Sequence, residues 1–194
     1  AGADICIAKP YNIESLCRHI LSLAATRNGE ATTDDVLERS PDMEAQMKEN
    51  DIPLYALESF DPVKDFDFMG ITLQYELCYT ASLNMMKLAG YPLFASQRDE
   101  DAPVFIAGGP CVYNPEPVAD FFDLFMLGDG EEVMMDLLDL YKEYKERGAS
   151  KEEFLKAASH IGGIYVPSLY DVTYNEDGTV KAVSPVGDAP AVVR

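Results

Sequence analysis

APVFIAGGPCVYNPEPVADFFDLFMLGDGEEVMMDLLDLYKEYKERG, residues 102 to 148, holds the pattern that decides the fold. Val104 to Ala107 is a short, wholly apolar run closed by Gly108-Gly109-Pro110, the profile of a strand buried on both faces. Leu124 to Leu127 repeats that profile and closes on Gly128-Asp129-Gly130. From Glu131 the period changes: Val133, Met134, Leu137, Leu138 and Tyr141 recur on one helical face, and Gly148 supplies the stop. Buried strand, glycine loop, buried strand, glycine loop and amphipathic helix are the components of a parallel sheet covered by helices.

The same grammar extends in both directions. Upstream, Phe66 to Leu73 reads as a buried strand and Leu77 to Leu88 as a helix closed by Gly90 and Pro92. Ile52 to Leu57 reads as a further strand, interrupted by Pro53. Ser40-Pro41-Asp42 is a helix start, with a capping serine, proline at the first helical position and an acid near the positive end; that helix is expected to run to about Asn50. Asp4 to Ala8 is an apolar strand, and a helix capped by Asn12 carries Ile13, Leu16, Cys17, Ile20 and Ala24 on one face. The polar stretch Arg27 to Asp35 reads as a junction. Downstream, Ser150 and Glu153 form a capping box. Leu169 to Tyr174 and Thr179 to Val183 flank Asn175-Glu176-Asp177-Gly178 as a β-hairpin. The expected fold is therefore α/β, a doubly wound and mostly parallel sheet with a C-terminal β-hairpin, the flavodoxin-like form of it being what the resemblance described below implies.

Composition narrows the functions. Hydrophobic residues make up 47% and charged residues 25% of 194 residues, as in packed globular domains. With 34 acidic against 15 basic residues the net charge is −19. Such a surface repels nucleic acid and anionic lipid, so direct nucleic-acid binding is disfavoured. No apolar run has the length of a membrane span and the start is not a signal peptide, so a cytoplasmic location without membrane contact is expected. The sequence starts Ala-Gly-Ala-Asp, without Met, and reads as a piece of a larger protein.

Chemistry-bearing residues are sparse. Cys6, Cys17, Cys78 and Cys111 lack the close pairs of metal or iron–sulfur motifs and read as free thiols. His19 and His160 fall in expected helices with no partner cluster around them. No G-x-S-x-G, Walker A, G-x-G-x-x-G or H-E-x-x-H motif occurs, and no nucleophile is paired with a base. The expectation is no catalytic residue, no metal ligand and no complete active site within these residues. In parallel sheets ligands lie beyond the carboxyl ends of the strands. That rule nominates Thr72 and Gln74 after one strand, Gly108, Gly109 and Pro110 after the next, and Gly128 and Gly130 after the third. Each also has a plain alternative as a turn or helix-start residue.

Taken in order, these loops carry a resemblance. A Gly-Ile-Thr strand end, then Ile-Ala-Gly-Gly-Pro, then Leu-Gly-Asp-Gly-Glu-Glu opening a helix resembles the cobalamin-binding domain attached to many radical S-adenosylmethionine (SAM) proteins. Pro41 to Tyr174 is similar to the N-terminal part of a bacterial family of radical SAM proteins, through PDMEAQMKENDIPLYALES, DFDFMGITLQYELCYT, IAGGPCVYNPEPVADFFD and GIYVPSLYDVTYNEDGT. The resemblance implies an accessory domain that could hold cobalamin along Thr72, Gly108 and Gly109. It also implies a C-terminal radical SAM barrel as partner, where the iron–sulfur cluster and SAM would be bound. The cobalamin fingerprint D-x-H-x-x-G is absent, and Thr72-Leu73-Gln74 stands where many such domains have S-x-L. The C-x-x-x-C-x-x-C loop of the barrel is also absent from these residues. Ala1 to Leu21, by contrast, resembles the end of a response-regulator receiver domain, with Lys9 at the position of the lysine that contacts the phosphoryl group. The phosphoacceptor aspartate is missing.

The expected organisation is a receiver-like strand–helix segment over residues 1–27 and a junction over 28–40. A cobalamin-binding-like α/β domain follows over 41–162, then a β-hairpin and linker over 163–194. A receiver strand and helix could replace the first unit of the other domain in a fusion, since both folds are flavodoxin-like. The alternative function is a receiver-like or structural interaction module that binds no cofactor.

Overall fold

The computed structural model describes residues 5–8, 43–56 and 59–194, with backbone alone for 5–8 and 43. Its main elements in chain order are β1 (Ile5–Ala8), α1 (Met43–Glu49), β2 (Phe68–Thr72), α2 (Tyr79–Leu88), β3 (Val104–Gly108), β4 (Leu124–Met126), α3 (Gly130–Glu146), α4 (Lys151–Ala158), β5 (Ile164–Tyr165), β6 (Tyr170–Tyr174) and β7 (Val180–Pro185), joined in places by short 3-10 turns. Strands β1 to β5 form one sheet in that spatial order, and β6 and β7 form a separate ribbon. The first four strands are parallel; β5 runs antiparallel to β4. The doubly wound α/β class, mostly parallel with a C-terminal hairpin, is the fold observed.

Alternation along the strands builds two cores. Met69 and Ile71, Phe105 and Ala107, and Phe125 face one side, under α2 and the 3-10 turns that follow β3. Phe68, Val104 and Ile106, and Leu124 and Met126 face the other, under α3 and α4. Both faces are thereby dry, which is why these strands read as unbroken apolar runs. Phe68, Phe105, Phe122, Phe125 and Phe154 are all fully buried.

Helix ends follow their sequence signals where those are described. Ser150 accepts the Glu153 N–H while the Glu153 carboxylate accepts the Ser150 N–H, closing the capping box of α4. Gly148 stops α3 in the left-handed region at φ 65°. The segment expected as a strand over Ile52 to Leu57 is not one. Residues 52–56 are extended coil with a single bridge from Tyr55 to Pro62. There the chain turns back on itself, Phe60 donating to the Ala56 carbonyl and Ala56 to that of Asp61, so it satisfies its own backbone rather than joining the sheet. The helix after Asn12, the Arg27–Asp35 junction and the Ser40–Asp42 cap lie outside the described residues. No helix among the described residues is long and apolar enough to cross a membrane.

Candidate ligand crevice at the strand ends

Beyond their carboxyl ends, neighbouring strands β3 and β4 send the chain to opposite faces. After Gly108 it turns onto the face that buries Val112, Val118 and Phe122. After Met126 it turns into α3, which packs Leu137 on the other face. Connections that part in this way leave a crevice between the two strand ends, the usual place for a ligand in an open α/β sheet. The nominated residues lie along the carboxyl ends of β2, β3 and β4. Thr72 ends β2 and pairs with Gly108, which ends β3. Pro110 opens the 3-10 turn after β3, Gly128 lies in the β4 exit, and Gly130 is the first residue of α3. Gln74 is exposed on the β2 exit.

The glycines divide into two kinds. At Gly108 and Gly128 no atom lies within 4 Å of where a Cβ would stand, so the backbone is bare. Gly109, at φ 95°, is bare for a different reason: a Cβ there would sit 2.9 Å from the Leu73 carbonyl oxygen and 3.0 Å from Thr72 Cγ2. The β2 and β3 exits are laced together at this point, with Leu73 N–H donating to Gly108 O at 2.7 Å and Cys111 N–H to Leu73 O at 3.1 Å. Gly109 is thus needed for the close approach of two strand exits. At Gly130 a Cβ would meet only Met126 Sδ at 3.3 Å.

Asp129 occupies the N-cap position of α3 without a capping hydrogen bond from its side chain, and Glu131 and Glu132 stand in the first turn. Three carboxylates at this end oppose a phosphate and admit neutral, amide- or hydroxyl-bearing groups. On the β2 side, burial pushes the Tyr79 hydroxyl above the usual phenol range, reinforced by its hydrogen bond with Cys111. Cys78 and Cys111 are free, half-buried thiols. His160 follows α4 instead of lying within it, with its imidazole 3.6 Å from the Asp188 carboxylate. Among the described residues no group of three or more His, Cys, Asp or Glu side chains could hold a metal ion.

At the opposite end of the sheet lies a charged cluster that sequence reading missed. Asp123, just before β4, accepts the Phe105 N–H at 2.7 Å through Oδ2 and donates its own N–H to the Phe105 carbonyl at 2.9 Å. The Arg98 side chain is buried, with Nη2 2.9 Å from the Phe121 carbonyl and 3.4 Å from Asp123 Oδ2, and its guanidinium 4.1 Å above the Phe105 ring. Lys151 Nζ reaches Asp123 Oδ1 at 3.2 Å and the Pro103 carbonyl at 3.1 Å. Burial pushes both cations below their ordinary values, with Asp123 acting against that shift. These residues line a cavity of about 710 Å³ together with Phe94, Glu152 and Tyr170. The cluster ties the first residues of β3 and β4 to α4; the three residues lie far apart along the chain, and no local motif announces them.

A family model described as radical SAM proteins, N-terminal, matches residues 19–167. The chain belongs to this family. An uncharacterized protein of Methanocaldococcus jannaschii is 31% identical over an alignment of 122 residues that covers 58% of this chain and 26% of the relative. The chain thus matches about a quarter of that relative's length. No solved structure matches it. The crevice lies inside the radical SAM N-terminal match, whereas β1 and the β6–β7 ribbon lie outside it. The β1 strand nonetheless pairs with β2 along its whole length, from Ile5 opposite Phe68 to Ala8 opposite Ile71.

Proposed function

We propose that this chain is an accessory domain of a radical SAM protein whose crevice at the ends of β2, β3 and β4 holds cobalamin. The observation that carries this reading is the bare backbone at Gly108 and Gly128, on either side of a point where adjacent connections part to opposite faces. That geometry suits a broad, flat, amide-fringed ligand. Thr72, Gln74, Gly108, Gly109, Pro110, Gly128 and Gly130 would hold it through backbone and small polar groups. Cobalamin would supply its cobalt–carbon chemistry to a catalytic domain. The residues of this chain would bind and orient it and shield one side from water; none is assigned to the cobalt, since the D-x-H-x-x-G motif is absent. The iron–sulfur cluster and SAM belong in this reading to a barrel elsewhere in the parent polypeptide. The parent enzyme would be cytoplasmic. The 1–27 strand–helix segment would be a receiver-like graft onto the 41–162 domain, consistent with β1 completing the sheet from outside the family match, and residues 163–194 would lead towards the barrel.

Titration of the purified chain with hydroxocobalamin, followed by calorimetry and the visible spectrum, tests the cofactor. Gly108→Val is the informative variant: the space there is open, and valine suits the end of a strand. Its affinity should fall about tenfold or more, equivalent to at least about 1.4 kcal/mol, with unchanged far-UV circular dichroism. Absence of heat and of spectral change in the parent sequence would remove cobalamin from this reading.

A second reading, a structural interaction module without a cofactor, has its own support. Gly109 is explained by packing alone, and Asp129, Glu131 and Glu132 crowd the β4 exit with negative charge. Retention of full affinity for catalytic-domain fragments in cobalamin-free buffer, without corrinoid uptake, would favour it.

A further inference from the structure

Opposite partners of an antiparallel ribbon share a face, so β6 and β7 have one apolar side and one polar side. Tyr170 with Pro185, Val172 with Val183 and Tyr174 with Val180 form the apolar side; Asp171 with Ser184 and Thr173 with Ala182 form the other. At the base the apolar side is occupied. The Tyr170 ring lies 4.9 Å from that of Tyr165, and its hydroxyl donates to the Pro190 carbonyl at 2.7 Å. Towards the tip it is bare: Tyr174, Val180 and Val183 are 53%, 45% and 49% exposed. The ribbon pairs with no strand of the five-stranded sheet. A lone two-stranded ribbon is marginal in water, and a contiguous apolar face on it marks an interface. The Tyr174 hydroxyl bonds to the Glu116 carboxylate, which ties the ribbon to the segment that presents Tyr113, 70% exposed.

We propose that this apolar face is the surface on which the radical SAM catalytic domain of the parent polypeptide docks. The inference rests on the accessory-domain reading above and adds the place of contact. Two observations select that occupant. The family description is of an N-terminal portion, and the matched residues form 26% of the relative, so most of such a polypeptide lies beyond them. The ribbon follows the end of the family match at residue 167, on the path towards that remainder. A second copy of this chain is a poor occupant, because two bodies of net charge −19 repel.

Hydrogen exchange, measured side by side on the parent protein and on this 194-residue chain, tests the placement. Ribbon amides between residues 171 and 184 should exchange at least tenfold more slowly in the parent. The double variant Val180→Asp, Val183→Asp should abolish that slowing while leaving protection at Ile106 and Ala107 unchanged. Slowing confined to another face would overturn the docking surface and leave the accessory-domain reading standing. No slowing anywhere would overturn both. A dimer of the chain alone in sedimentation, dissolved by the same double variant, would also overturn the proposal.

Discussion

Asp123 is the residue on which most of the buried polar chemistry converges. It pairs two cations and extends the β3–β4 ladder through Phe105. Replacing it with alanine leaves the largely buried Arg98 and Lys151 without their shared carboxylate, and should cost about 3–5 kcal/mol in urea unfolding. Lys151→Met leaves the Arg98–Asp123 pair in place and should cost well under half of that. Gly109 makes a second residue-scale contrast. A Cβ there meets the Leu73 carbonyl at 2.9 Å, in a backbone conformation that L side chains rarely adopt, whereas one at Gly108 meets nothing within 4 Å. Gly109→Ala should therefore lose more than about 1 kcal/mol and Gly108→Ala almost nothing, read from denaturation midpoints. The glycine pair after a buried strand is legible from sequence, and so is the site it nominates. Which of the two is structural and which is open is a tertiary distance, set by how β2 leaves the sheet, and no local pattern carries it.

Among the elements, α4 was the most readable. Ser150 and Glu153 sit three apart before an apolar stripe, and the structure closes both hydrogen bonds. Ser150→Ala should cost about 1 kcal/mol of thermal or chemical stability, more than the same change at exposed Ser184. The parallel strands were readable because burial on both faces removes alternation and leaves runs such as Val104 to Ala107. One element, of two residues, escaped because two residues are too few to show a period, and one strand was expected where there is none. Ile164–Tyr165 enters the sheet as β5 between Gly162-Gly163 and Pro167, positioned by its antiparallel pairing with Phe125 and Met126 and by the Leu127 N–H to Gly163 carbonyl bond at 2.8 Å. Tyr55 makes one bridge in a loop whose composition resembles a strand.

Across the whole molecule, several buried phenols set an alkaline limit. Burial pushes Tyr55 and Tyr165 up to about 12, and burial with the Asp67 carboxylate beside it pushes Tyr141 up as well. A folded-state value above the unfolded one means the native state holds its proton longer, so this contribution is intact below about pH 10 and is lost as pH rises towards 12. Lys151 acts in the opposite sense, since its lowered value relieves a buried charge as pH rises. These three phenols against one amine leave a net loss, and the part of the phenolate absorbance that comes from them should rise together with unfolding rather than before it. The pairing of β1 with β2 bears on how the protein can be shortened. Cutting the polypeptide back to the family-matched residues 19–167 removes the strand that covers the Phe68 to Ile71 backbone. An apolar strand would then lie open along its hydrogen-bonding edge, ready to recruit another molecule. Such a trimmed protein should aggregate on concentration, read by light scattering, under conditions in which the 194-residue chain remains dispersed. The smallest unit that behaves well in solution is therefore fixed by hydrogen-bond closure, and it is larger than the unit that homology outlines.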